Sequence, residues 1–184
     1  MFSLAYSLTD EIEIGEQSYK LDMSFDNIIL LIEMIGDAEL DDDIKVETGL
    51  EMLIGTSLEL DLSTKSKVFH QIFEKAVAQK ELKPSLDRQG NPMPESESAK
   101  VYSLSQDAEY IYASFMQDYG IDLFEQQGKM HWNKFKALLS GLRNDTKFKE
   151  VIQIRTADLP KGKGTEKERQ RMSELKKAYE LKEE

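Results

Sequence analysis

The chain has 184 residues, 40% of them apolar and 32% charged, with a net charge of −11 and no cysteine. That balance belongs to a folded domain rather than a disordered acidic segment, at a length that suits one domain with a short extension. Without cysteine there is neither a disulfide framework nor a thiolate metal site. The longest apolar run, Ile28 to Ile32, falls far short of the about 20 residues of a membrane span. Met1 leads into Phe2-Ser-Leu-Ala-Tyr with no basic segment, so a cytoplasmic protein without a signal peptide is expected.

Alternation comes first along the chain. Phe2, Leu4, Tyr6 and Leu8 alternate with small or polar residues, Ile12 and Ile14 continue the pattern up to Gly15, and Tyr19, Leu21 and Met23 resume it. This is the period of half-buried strand, so residues 2–23 are expected to form two or three short antiparallel strands. Asp26 is placed to cap a helix with Ile28, Ile29, Leu31, Ile32 and Ile35, ending at Gly36. That helix is apolar over most of its circumference, which predicts a core position. After the acidic connector Asp37 to Asp43, a second helix is expected over Ile44–Ile54. A third starts at Ser63, with Val68, Phe69, Ile72, Phe73, Ala76 and Val77 as its stripe.

Composition then changes. Residues 83–98 hold Pro84, Pro92, Pro94 and Gly90 with almost nothing to bury, and read as a loop or linker. Helical spacing returns with Leu104, Ala108, Ile111, Tyr112, Phe115, Met116 and Tyr119, closed by Gly120 as a left-handed cap. Trp132, Phe135, Leu138, Leu139 and Leu142 form the next stripe, with Trp132 and Phe135 as core anchors. Asp145 or Thr146 starts a short helix with Phe148, Val151 and Ile152 inward, broken at Pro160. Thr165-Glu-Lys-Glu has the capping-box pattern and begins a last, very polar helix to about Leu181.

Charge is uneven. Residues 1–63 carry sixteen acids and two bases, whereas residues 129–177 carry fourteen bases and six acids. An acidic front with a basic rear suits an interaction tail or self-assembly. The basic rear includes Lys161, Lys163, Lys167, Arg169, Arg171, Lys176 and Lys177, which are able to track phosphates. Glu166, Glu168 and Glu174 are interleaved there, however, and favour a solvated helix laced with i,i+4 pairs over nucleic-acid contact. The seam of Met172, Leu175 and Tyr179, flanked by Arg169, Arg171 and Lys176, is the candidate partner-binding surface. With so narrow a seam this helix is expected to be detachable, leaving the rest of the fold intact.

Catalytic chemistry finds no foothold in the pattern. An EF-hand begun at Asp37 would need glycine sixth and glutamate twelfth, where Asp42 and Thr48 stand. Asp41 to Asp43 read instead as acids favoured at a helix start. His70 and His131 lack a HExxH neighbourhood and read as surface or packing histidines. No serine lies in Gly-x-Ser-x-Gly, and Gly162-Lys-Gly-Thr lacks the upstream strand and first glycine of a phosphate loop. Neither an enzyme nor a bound cofactor or metal is expected.

The most distinctive stretches are Asp118-Tyr-Gly-Ile-Asp122-Leu, Met130-His131-Trp132-Asn-Lys134-Phe135-Lys-Ala-Leu138-Leu139, and Thr146 to Arg155. Together with the passage from Tyr19 to Asp26 into an apolar helix and the proline-rich middle, they resemble the gp-fifteen family of bacteriophages over most of the chain. The specific part is His-Trp-x-Lys-Phe. A second aromatic often follows the tryptophan in that family, and here Asn133 stands in its place. Family members are encoded between the major tail protein and the tape-measure protein in long-tailed phages and prophages of Gram-positive bacteria. The resemblance implies a tail assembly chaperone or its partner subunit. Such a protein covers the tape-measure protein in the host cytoplasm until tail-tube subunits replace it, and is absent from the mature virion.

The expected architecture is α+β and mainly α: a small N-terminal antiparallel β element on a five-to-six-helix domain over 1–160, then a charged helix or tail over 161–184. The expected partners are the tape-measure protein, other tail assembly proteins and a second copy. No membrane is expected among them. The alternative is an accessory protein that binds nucleic acid or nucleoprotein through the basic rear.

Overall fold

In the computed structural model, residues 4, 5, 8, 10–74, 101–160 and 164–182 are described. The architecture is α+β and mainly α. The chain divides into two compact units: Met1–Glu95 with Gln126–Ala137, and Ser96–Glu125 with Leu138–Glu184. The described residues of the last stretch, 164–182, group with the second unit. The linker expected at 83–98 lies outside the described residues.

The first unit opens with a hairpin, β1 (Glu11–Ile14) and β2 (Gln17–Lys20), in antiparallel register with Ile12 opposite Tyr19 and Ile14 opposite Gln17. Gly15 supplies the positive φ, 65°, that a two-residue turn needs and that side chains resist. Of the further strand expected before it, the described part shows a bend at Leu4 and Ala5 and no pairing. Beyond β2, Leu21 and Met23 are buried, and the Asp22 N–H donates to Leu53 O at 2.7 Å.

Among the described residues, three helices follow in this unit. α1 spans Phe25–Gly36, α2 Asp42–Ile54 and α3 Leu62–Ile72. Ser24, not Asp26, occupies the N-cap of α1, and Asp26 lies in its first turn. Ile28 and Leu31 are fully buried, whereas Leu30 stays 57% exposed, so only part of that apolar circumference enters the core. In α2 the acids Asp42 and Asp43 fill the first turn, where the helix dipole favours them. At Gly49 the helices come so close that a Cβ would sit 2.5 Å from Phe69 Cε2 and 3.1 Å from Leu31 Cδ1. Asp61 caps α3, accepting the Thr64 N–H at 3.1 Å and the Thr64 hydroxyl at 2.6 Å. The stripe expected to continue through Ala76 and Val77 leaves the described residues after Glu74.

The second unit contains α4 (Ala108–Tyr119), the rear of α5 (Trp132–Gly141), α6 (Lys147–Thr156) and α7 (Glu166–Ala178). Its core is Ile111, Phe115, Leu139, Leu142, Phe148 and Val151. α4 starts at Ala108 rather than at Leu104, because Asp107 stops it: its carboxylate turns back to accept the Ser103 N–H at 3.0 Å. Gly120 closes α4 at φ 61°, its N–H reaching Met116 O at 3.1 Å. Thr146 is the N-cap of α6, yet its hydroxyl donates to Arg143 O at 2.7 Å. The capping oxygen comes from α4 instead, where the buried Ser114 accepts the Phe148 N–H at 3.0 Å. Among the described residues no helix is long and apolar enough to cross a membrane.

Candidate functional site

The residues Met130 to Phe135 close onto the start of α1 within the first unit. Their backbone runs beside Met23–Phe25: Phe25 N–H donates to Met130 O at 2.9 Å, and Trp132 N–H donates to Met23 O at 2.7 Å. Gly128 N–H donates to Asp26 Oδ1 at 2.9 Å. Three rings then stack, with centroids 4.9 Å apart for Phe25–Phe135 and 5.7 Å for Trp132–Phe135. Lys136 stands over the Trp132 ring at 5.3 Å, and burial lowers the pKa of its ammonium. Trp132 is 5% exposed, and its Nε1 has no hydrogen-bond partner among the described residues.

His131 ties this clasp to the N-terminal segment. Its Nδ1 accepts the Asn133 N–H at 3.0 Å, which leaves the ring proton on Nε2, facing the Asp10 carboxylate. Asn133 thus serves through its backbone, and its side-chain position is half-buried. Lys134 is exposed, Leu138 half-buried and Leu139 buried. Asp122 lies in the second unit, where Oδ1 accepts the Phe124 N–H at 2.9 Å and Oδ2 faces the Tyr112 hydroxyl at 3.4 Å. Of the motif residues, His131 to Phe135 thus fall in the first unit, and Asp122, Leu138 and Leu139 in the second.

The C-terminal helix is bound into the second unit through polar groups. Arg155, at the end of α6, donates from Nη1 and Nη2 to the two oxygens of Asp107 at 2.6 and 2.7 Å. The same guanidinium donates to Val101 O at 3.1 Å and, through Nε, to Tyr179 O at 2.6 Å. Lys176 donates to Arg155 O at 2.9 Å, and Lys147 donates to the Tyr179 hydroxyl at 2.8 Å. That last bond raises the pKa of Lys147. Gln106 and Lys182 exchange two bonds of 2.9 Å.

These bonds tie to the second unit a helix whose narrow apolar seam alone would leave it detachable. Of the six candidate partner residues, Lys176 and Tyr179 bind the unit itself, Met172 and Leu175 are half-buried, and Arg169 and Arg171 are exposed. The Thr165 side chain accepts no cap bond, so the expected capping box does not form. Arg155 and Lys147, part of the basic rear, are likewise taken up internally. Among the described residues no cluster of histidine, aspartate and glutamate is disposed to hold a metal ion.

The family model described as Bacteriophage Gp15 protein matches residues 4–181. The chain belongs to that family. No curated protein and no solved structure matches it. In this Gp15-family protein the Arg155–Asp107 pair, Ser114 and Asp10 were missed by the sequence reading. Arg155 was visible only as the last residue of a recognised stretch. An arginine ending a helix otherwise rich in apolar residues was the one available signal, and it named no partner.

Proposed function

We propose that this Gp15-family protein is a non-catalytic tail assembly protein that binds the tape-measure protein, as a tail assembly chaperone or its partner subunit. The observation that carries the reading is the family match over 4–181, which spans both units and the C-terminal helix. The arrangement of the motif supports it. Trp132, Phe135 and the His131 ring are spent on holding the fold, with His131 bound at both nitrogens. Binding therefore falls to the outer surface, as it does when a protein covers a longer partner. Such work takes place in the host cytoplasm and needs no cofactor.

The test is co-expression with the tape-measure protein of the same phage. The reading expects the tape-measure protein to stay soluble and to co-purify with this chain, and to aggregate without it. A tape-measure protein equally soluble in both conditions would overturn it. So would tight DNA binding with a steep salt dependence, the mark of phosphate contacts.

A further inference from the structure

The hairpin of the first unit leaves one strand edge open. In an antiparallel pair, backbone groups point alternately toward the neighbouring strand and away from it. Asp10 O accepts the Leu21 N–H at 2.9 Å, so Asp10, Ile12 and Ile14 face β2, and the N–H and C=O groups of Glu11 and Glu13 face outward. Among the described residues nothing bonds to those outward groups. An open edge of this kind is a template for a further strand, and its unmet donors and acceptors set the geometry of what covers it.

Side chains along the edge restrict which strand fits. Glu11 and Glu13 are exposed on one face of β1, whereas Ile12 and Ile14 are half-buried on the other, with Tyr19 across from Ile12. Lys20 stands opposite Glu11 on β2 and Ser18 opposite Glu13, yet neither carboxylate enters an ion pair among the described residues. A strand laid along β1 sets its own residues directly opposite Glu11 and Glu13, where an opposite charge stabilises and a like charge destabilises. The same edge of a second copy would bring glutamates against glutamates, which opposes pairing between copies.

A two-stranded ribbon is marginal by itself and gains from a third strand that widens its apolar face. We infer that the outer edge of β1 takes an added strand from a partner protein: an extended segment that alternates basic residues, opposite Glu11 and Glu13, with β-branched apolar residues beside Ile12 and Ile14. The strand follows from this edge alone, whether or not the tape-measure protein supplies it.

The test uses the full chain and three short labelled peptides: lysine alternating with valine, the same peptide N-methylated at each lysine amide, and glutamate alternating with valine. The lysine peptide binds, and on binding the Glu11 and Glu13 amide protons become protected from hydrogen exchange. The N-methylated peptide keeps the charge but cannot donate to the edge, and binds about tenfold more weakly, as loss of backbone hydrogen bonds requires. The glutamate peptide does not bind. Glu11→Lys combined with Glu13→Lys, both at exposed positions, reverses the preference between the lysine and glutamate peptides and leaves the melting temperature nearly unchanged. Failure of the lysine peptide to bind overturns the inference, as does equal binding of the lysine and glutamate peptides. So does an N-methylated peptide that binds as tightly as its parent, since charge alone then accounts for capture. Glu11 and Glu13 amides already protected in the free protein would show the edge to be covered, and overturn it too. Should the double variant fail to fold, the N-methylated peptide and the exchange measurement decide the matter with the parent chain.

Discussion

Replacing Arg155 with methionine should be the most damaging single polar change in the second unit. Asp107 is 1% and Arg155 12% exposed at the side chain, and two bonds of 2.6 and 2.7 Å join them. Methionine keeps much of the length and apolar volume but removes all four hydrogen bonds. It leaves the Asp107 carboxylate buried without its counter-charge, a change worth about 3–5 kcal/mol. The Val101 and Tyr179 carbonyls lose their partner as well. At about 2–4 °C per kcal/mol for a chain of this size, the melting temperature should fall by roughly 6–20 °C. Asp107→Leu combined with Arg155→Met should restore part of that loss, since no charge is then left buried. Recovery should be incomplete, because Asp107 also accepts the Ser103 N–H. Thermal melts by circular dichroism for the two single variants and the double variant give the coupling energy. A fall under 2 °C for Arg155→Met, or coupling below about 1 kcal/mol, would refute the view that this pair anchors the unit.

Four further outcomes are expected. Truncation after Pro160 removes Lys176 and Tyr179 and should lower the melting temperature, against the expectation that this helix detaches freely; an unchanged melt would restore that expectation. Trp132→Ala should cost about 3–5 kcal/mol, and Trp132→Phe much less, because the indole Nε1 has no partner among the described residues to lose; urea melts distinguish the two. Gly49→Ala should destabilise by about 1–3 kcal/mol even though alanine favours a helix, because its Cβ would meet the buried Phe69 ring at 2.5 Å; an increase in stability would mean that Phe69 moves aside freely. Asp118 accepts the Arg143 N–H at 2.8 Å and its Nε at 2.7 Å, and chiefly the backbone bond holds its carboxyl below the ordinary 3.8. The fold favours its charged form, so its stabilisation is present above the unfolded value of about 3.9 and fades as pH falls through the lower folded value. Asp118→Asn should therefore melt below the parent at neutral pH, with the gap closing toward pH 2.

What the sequence determined by itself was local. Alternation about Gly15 marked the hairpin, the three-and-four spacing of apolar residues marked the helices, and Gly36 and Gly120 marked two of their ends. These patterns are legible because side chains point outward with a fixed period, so each element declares its own buried face. It also fixed Trp132 and Phe135 as neighbours on one face of α5.

Which faces meet was decided only in three dimensions. Asp10 and His131 lie 121 positions apart, and Asp107 and Arg155 lie 48 apart. No periodicity connects such pairs, because their geometry depends on where whole helices are carried by their packing. Thr146 looked like a complete cap, yet the oxygen that serves α6 comes from Ser114 on α4. The C-terminal helix misled for a related reason. Hydropathy measures apolar burial, and α7 buries no side chain. It is held by a guanidinium, two lysine ammonium groups and a tyrosine, bonds that acquire their strength only when folding brings donor and acceptor together away from water.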